Sequence, residues 1–342
     1  MDIIINPTNA CNFSCEFCSA SDMPKGKLTA KDTIKLLEPY KEDLGEIIIN
    51  GGDPLMMDPD YYFSLLEWIE SVNEYSWISL TTNLLDFYKN PDKWKELFRN
   101  KRIGIMTSFQ YGDKRRYKTS TGAQVFDEDL FLKIQRKFYR EIGYNPAFIY
   151  VVDKDNCALA PKACELAQKL NTKVRLNKST ISGRSKEYFP LYCMYEVYIT
   201  ILMLGFARYE MNMEIFYDFF KFNRFSCNLS PNCCSSITAI NPDKSITTCS
   251  FTAGDIDKLG REEYDIKINY MNRYRLQDKY SYLKSECLQC DNFFMCNRCH
   301  IMTKEVQDNH DEQRYCDMMK ILIPRLKDLV LQAGDEIKWT MR

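Results

Sequence analysis

Histidine is almost missing from this chain: His300 and His310 are the only two in 342 residues. That scarcity argues against zinc catalysis built on histidine and against imidazole-centred acid–base chemistry. An excess of either charge is missing too. Lys and Arg number 46 against 47 Asp and Glu, for a formal net charge of −1, so no bulk attraction to nucleic acid or to an anionic membrane follows. The longest apolar run, Val197 to Ala207, falls well short of the ~20 residues needed to cross a bilayer. Met1 is followed by Asp2 with no basic stretch of the secretory type. The expectation is a cytoplasmic protein with neither nucleic acid nor membrane as partner. Internal repeats and low-complexity segments are not apparent.

Cysteine, by contrast, is plentiful, at fifteen residues. In a secreted protein they would suggest disulfides; in a cytoplasmic chain of this size they suggest metal. Cys11-Asn-Phe-Ser-Cys15-Glu-Phe-Cys18 follows the strand-like run Ile3-Ile4-Ile5. Three thiolates at this spacing suit three irons of a 4Fe–4S cube. Such clusters normally take four cysteines, so a triplet leaves one iron open, as a catalytic metal keeps one position free. A zinc knuckle or buried free thiols are the alternatives, but three ligands do not complete a tetrahedral zinc site.

With 45% hydrophobic and 13% aromatic residues, the chain can build one large α/β domain and a smaller one. Short apolar runs at Asp2–Asn6, Glu46–Asn50, Trp77–Thr82, Ile103–Ser108, Ala147–Val152 and Lys173–Leu176 alternate with helical patterns. The latter cover Thr29–Asp43, Asp60–Asn73, Pro91–Arg99, Asp127–Ile142 and Ala160–Leu170. Strand–helix alternation predicts a parallel sheet, and six such units make three-quarters of a (β/α)8 barrel. Chemistry then belongs at the C-terminal strand ends, where the cysteine triplet, Gly51-Gly52 and Asn83 fall. Residues 186–225 read as a helical bridge, and residues 226–342 as a Cys-rich second domain. Its tail, Met319–Ala333, carries Ile321, Ile323, Leu326, Leu329, Val330 and Leu331 at amphipathic spacing.

The CxxxCxxC spacing, with Phe17 before its last cysteine, resembles the signature of the radical SAM superfamily. The resemblance implies a partial (β/α)6 TIM-type barrel over residues 1–185. It also implies a 4Fe–4S cluster on Cys11, Cys15 and Cys18 that cleaves S-adenosylmethionine to a 5′-deoxyadenosyl radical. Asn50-Gly51-Gly52-Asp53-Pro54 looks like the family's glycine motif, which holds the methionyl amine, with Asp53 where Glu is usual. Thr81-Thr82-Asn83 is similar to a Thr-Asn-Gly segment, with Leu84 in place of Gly. Ser108-Phe109-Gln110-Tyr111-Gly112 is similar to a segment whose serine contacts the SAM carboxylate, with Arg115 or Arg116 as its partner. Ser182-Gly183-Arg184 resembles a pair that closes the barrel. The implied cofactor-binding set is Phe17, Gly51, Gly52, Asp53, Pro54, Thr82, Asn83, Ser108 and Arg115.

The C-terminal run Cys287-x2-Cys290-x5-Cys296-x2-Cys299, followed by Cys316, resembles the SPASM domain, an α+β module with two auxiliary 4Fe–4S clusters. Cys227, Cys233, Cys234 and Cys249 lie upstream, and Lys244 stands where the SPASM pattern has Gly. The family's connectivity would give one cluster Cys227, Cys233 or Cys234, Cys249 and Cys299. The other would take Cys287, Cys290, Cys296 and Cys316. Two zinc ribbons are the alternative at this spacing. Cys157, Cys164 and Cys193 read as incidental thiols, with Cys193 also a candidate for catalysis near the domain junction.

The resemblance implies an oxidoreductase with three 4Fe–4S clusters and SAM. It would modify, by crosslinking, a side chain of a ribosomally made precursor peptide. A flavodoxin or ferredoxin-type donor would supply electrons. No winged helix precedes the first strand, so leader recognition would fall to a separate leader-binding protein or to the barrel surface. Alternatives are formylglycine formation of the sulfatase-maturase kind, peptide epimerisation, small-molecule dehydrogenation and a non-catalytic metal-binding module. Cys249 is followed by Ser250, not by the acid that formylglycine chemistry uses there.

Overall fold

The computed structural model describes residues 2–224, 237–247, 285–296 and 299–338. Strands β1 (Asp2–Ile5), β2 (Glu46–Ile49), β3 (Trp77–Thr81) and β4 (Ile103–Ser108) lie parallel in chain order. A hairpin of β5 (Arg116–Thr119) and β6 (Gly122–Val125) interrupts the series. It resumes with β7 (Ala147–Val152) and β8 (Val174–Lys178), both parallel to β4. Alternate residues Ile3, Ile5, Ile47, Ile49, Ile78 and Leu80 are buried. The other set, including Ile4, Ile48, Ser79 and Thr81, is half-exposed. A closed eight-stranded barrel buries both sets; here the inner face lines an open lumen. The fold is a partial (β/α)6 barrel, as the alternation predicts.

Helix α1 (Ala30–Leu37) starts with a reciprocal cap: Asp32 N–H donates to Thr29 Oγ1 at 3.0 Å, and Thr29 N–H to Asp32 Oδ2 at 3.4 Å. Asp thus does the work of the usual Glu. The α-helix stops at Leu37, short of the predicted Asp43, because Pro39 has no N–H to continue it. A 3₁₀ turn completes the stretch. Helices α2 (Pro59–Val72), α3 (Leu85–Lys89), α4 (Pro91–Phe98), α5 (Glu128–Ile142) and α6 (Ala160–Lys169) cover the outer face. Short α3 and the β5–β6 hairpin escape the sequence pattern because neither carries enough periodic residues to announce itself.

Both edges of the barrel sheet are taken. β9 (Ile237–Ile240) adds parallel to β1, and β10 (Ile246–Thr247) turns back against β9. At the other edge, Leu176 N–H donates to Glu210 Oε1 at 3.0 Å, and Leu176 C=O accepts from Tyr198 Oη at 3.0 Å and Asn212 Nδ2 at 2.9 Å. These side chains come from α7 (Leu191–Met203) and from the start of α8 (Met211–Phe222). They occupy the hydrogen-bonding groups that a further strand would need.

The C-terminal segment supplies α9 (Phe293–Cys296), α10 (His300–Asp308) and α11 (Glu312–Ala333). α11 packs on α7 and α8 and begins seven residues before the expected Met319. Leu322, Ile323, Leu326 and Val330 are buried on it, but Ile321 is 65% and Leu331 36% exposed. The apolar stripe is therefore narrower than the sequence reading made it.

Lys244, in the β9–β10 turn, has φ +68. Left-handed backbone costs an L-residue about 1–2 kcal/mol and costs glycine almost nothing. The lysine stands where the SPASM pattern has Gly, and its ammonium pairs with Asp32 at 2.8 Å, largely in solvent. Of two substitutions that both delete this pair, Lys244→Gly is expected to be more stable than Lys244→Ala by about 1 kcal/mol. Urea unfolding of both variants checks this inversion of the usual Ala-over-Gly order.

Candidate active site at the C-terminal strand ends

Cys11, Cys15 and Cys18 lie on the loop after β1, which is gripped from three sides. From the β2 end, Gly52 N–H donates to Thr8 O at 2.8 Å and Asp53 N–H to Ala10 O at 2.9 Å. From the hairpin, Ser14 N–H donates to Arg116 O, Lys118 N–H to Asn12 O and Glu16 N–H to Lys114 O, at 2.8, 2.8 and 2.9 Å. From beyond β8, Arg184 N–H donates to Cys18 O at 3.2 Å. Two of these approaches need glycine. A Cβ on Gly52 would stand 2.1 Å from Ala10 O, and one on Gly183, at φ +58, 2.2 Å from Cys18 O. The Gly52 amide is thus spent on the cysteine loop.

Asp53 is similarly committed. Its carboxylate accepts from Leu55 N–H (2.9 Å), Thr82 Oγ1 (3.0 Å) and Asn83 N–H (2.8 Å), tying the β2 end to the β3 end. It is 3% exposed, and burial pushes its pKa up to about 6 against those hydrogen bonds. Asn83 Nδ2 continues the chain to Asn12 Oδ1 at 2.6 Å, on the cysteine loop. Pro54 starts the 3₁₀ turn that Asp53 caps, and both are buried. Leu84 has a left-handed backbone, with φ +59, and buries its side chain fully.

Arg115 is the cation turned inward. It is 6% exposed, bonds the Ser108 hydroxyl, and lies over the rings of Phe13 and Phe126 at 5.0 and 5.4 Å. Its Nε has no hydrogen-bond partner. Among the described residues no carboxylate pairs with it, whereas Arg116 points outward to Asp113 at 3.5 Å. A buried, half-satisfied guanidinium is a site for an anion: its planar donor fork matches a carboxylate, and leaving it unpaired is costly. Phe17 is half-buried against the core.

The sulfur chemistry fits a cluster. Burial, and then the nearby Asp53 charge, push the Cys11 thiol up to about 12; burial raises Cys18 as well, and each feels Cys15. Thiols raised in this way need a nearby cation to exist as thiolates. Among the described residues no three Cys, His, Asp or Glu side chains converge on one point as a single ion requires. A cube asks for something else: each thiolate takes a different corner, so the sulfurs ring a volume. Three thiols would take three corners and leave one over.

Residues that no sequence motif marked close the site's rim. Lys114 pairs with Asp155 at 2.6 Å, Asp153 at 3.2 Å and Glu187 at 3.4 Å, strapping the hairpin base to the β7 end and to the segment after β8. Gln110 Nε2 donates to Asp153 at 3.3 Å. The signal was there: Asp153-x-Asp155 sits just past a strand end.

A second constellation lies in the C-terminal segment. Cys287, Cys290, Cys296 and Cys316 line one cavity, together with Phe293, Tyr315 and Met319. Burial, with the three neighbouring thiols, pushes Cys296 up to about 12. Cys299 caps α10 and is not in this lining. Cys227, Cys233, Cys234 and Cys249 lie outside the described residues. Cys164 is buried, Cys157 and Cys193 are partly exposed, and none of the three lines the cavity.

A partial barrel with a three-thiol loop at its mouth and a buried, unpaired cation beside it is an arrangement suited to a metal–sulfur group next to an anionic ligand. Residues 5–148 match the Radical SAM superfamily. GTP 3′,8-cyclase of Staphylococcus aureus is 29% identical over 143 residues, covering 37% of this chain and 41% of that protein. The chain thus spans about two-fifths of the length of the curated relatives it matches. Among solved structures, native anSMEcpe with bound AdoMet has a TM-score of 0.74 at 15% identity, covering 96% of this chain and 99% of its own. Streptococcus suis SuiB bound to precursor peptide SuiA has a TM-score of 0.60 at 17% identity, covering 87% and 70%. At these identities the likeness is one of fold.

Proposed function

We propose that this protein is a radical SAM enzyme of the SPASM kind that oxidatively modifies, by crosslinking, a side chain of a ribosomally made peptide. The cysteine loop with Arg115 beside it carries the reading. Cys11, Cys15 and Cys18 would hold the cluster, and Arg115 with Ser108 would receive the SAM carboxylate. When bound, the cluster and SAM supply a 5′-deoxyadenosyl radical from one added electron. The chain's own residues do the rest. Asp53, Thr82 and Asn83 lock the strand ends against the loop, while Phe13 and Phe126 keep water from the guanidinium. The lumen face of the strands offers room for a substrate.

Cys287, Cys290, Cys296 and Cys316 would hold an auxiliary cluster: four thiols around one cavity leave no corner open. Cys299 with Cys227, Cys233 or Cys234, and Cys249 would hold the other. Closed clusters suit electron removal and hence net oxidation. A peptide substrate is supported by two solved structures of this fold, anSMEcpe with Cp18Cys peptide and SuiB with SuiA. A flavodoxin or ferredoxin-type donor would deliver the electron.

The test is anaerobic reconstitution followed by incubation with SAM, dithionite and a synthetic precursor peptide encoded beside this gene. Expected are about twelve irons per chain, one 5′-deoxyadenosine per turnover and a peptide lighter by two hydrogens. A peptide of unchanged mass with solvent deuterium at one Cα would overturn the oxidative reading in favour of epimerisation. Two zinc ions beside only four irons would overturn the auxiliary clusters.

A further inference from the structure

The outer edge of β6 is an open hydrogen-bonding row on the active-site side of the molecule. Lys114, Arg116 and Lys118 turn their backbone groups toward the cysteine loop, and Phe126 N–H donates to Arg115 O on the opposite side of β5. In the register that pairs Tyr117 with Gln124 and Lys118 with Ala123, Tyr117 and Gln124 exchange bonds. Antiparallel alternation then points the N–H and C=O of Ala123 and Val125 away from β5. All four β6 residues are exposed. No hydrogen bond from elsewhere among the described residues reaches Ala123 or Val125.

Proteins guard such edges by keeping them short, or with charge, proline or a covering element. Gly122-Ala123-Gln124-Val125 is short but has none of the other three. The protection is present elsewhere in the same molecule: Glu210, Tyr198 and Asn212 occupy the β8 edge, and β9 covers β1. An extended substrate therefore cannot add as a strand at Leu176, whereas at β6 it can. The occupant needs regularly spaced backbone donors and acceptors, which a peptide has and a nucleotide or small metabolite lacks. Two structures of this fold were solved with peptides bound.

We propose that the peptide substrate docks as an added strand along β6, pairing with Ala123 and Val125. This rests on the peptide reading above and names how the substrate is gripped. Residues 12–16 of the cysteine loop, β5 and β6 are successive chains, so the docked strand is the third step out, about 14 Å at the usual ~4.8 Å spacing. At ~3.3 Å per residue the modified side chain lies about four or more residues from the docked segment. Main-chain pairing supplies affinity with little sequence demand, and the lumen then selects the residue.

The experiment compares wild-type holoenzyme with Ala123→Pro, which deletes one outward N–H at an edge where proline is tolerated. As a second arm, wild-type enzyme is given precursor peptides N-methylated at single backbone positions. Expected for Ala123→Pro is a KM for peptide raised about tenfold, from the loss of roughly one hydrogen bond and its neighbours. Peptide-independent 5′-deoxyadenosine formation should stay unchanged. N-methylation should weaken binding at alternate residues of one segment, about four or more residues from the modified one. An unchanged KM for the variant, or no alternation in the methyl scan while the wild-type enzyme modifies its peptide, would overturn the docking. A wild-type enzyme that modifies no peptide would instead overturn the substrate reading.

Discussion

Replacing Cys11, Cys15 and Cys18 together by alanine is expected to abolish SAM cleavage and to leave the fold standing. The loop keeps its shape through backbone bonds to Thr8, Ala10, Asn12, Ser14, Glu16 and Cys18, given or taken by Gly52, Asp53, the hairpin and Arg184. Among these local bonds only Phe13 N–H to Cys11 Sγ, at 3.3 Å, uses a thiol. The change in activity is complete because no other described group near Arg115 can replace three thiolates. The C-terminal thiols belong to different elements, so absorbance from the clusters proposed for them should persist, with roughly one-third of the iron lost. Wild-type rates of 5′-deoxyadenosine formation in the triple variant would sink the assignment of the generator.

The second large effect is on stability. Lys178, at the end of β8, and Glu305, on α10, form an ion pair with side chains only 3% and 6% exposed. Glu305 Oε1 also accepts Ile181 N–H at 2.6 Å, and Lys178 Nζ donates to Ser179 O at 2.8 Å. This pair fastens the last barrel strand to the helix that Cys299 caps. Burying two charges costs much of what their attraction returns, but removing one partner strands the other. Glu305→Ala is therefore expected to cost about 3–5 kcal/mol, while the double change Lys178→Met with Glu305→Leu recovers most of it. Urea denaturation of the two variants, with Glu305→Gln as a gentler control, decides the point. A single variant as stable as the wild type would show that the pair contributes nothing to the junction.

The barrel was legible in the sequence because its strands and helices carry unambiguous periods. Ile103–Ser108 and Ala147–Val152 came out at their observed ends. The cap on α1 was visible as Thr29 followed by Asp32. The cysteine loop was legible because its three thiols stand within eight residues on a single loop. The weak places were those where meaning depends on a partner distant in the chain. Nothing local separates Arg115 from Arg116, and both glycine-replacing residues, Leu84 and Lys244, looked like departures from pattern.

What the sequence determined by itself was therefore the βα alternation, the three-thiol loop and the grouping of C-terminal cysteines, all of which rest on spacing along the chain. Tertiary structure alone decided which arginine turns inward, because Phe13 and Phe126 come from different segments to cover it. It likewise decided that Asp53 and Gly52 serve the cysteine loop, that β9 joins β1, and that side chains from the bridge close β8 while β6 stays open. Each of these depends on where packing brings separate segments together, and no local period encodes it.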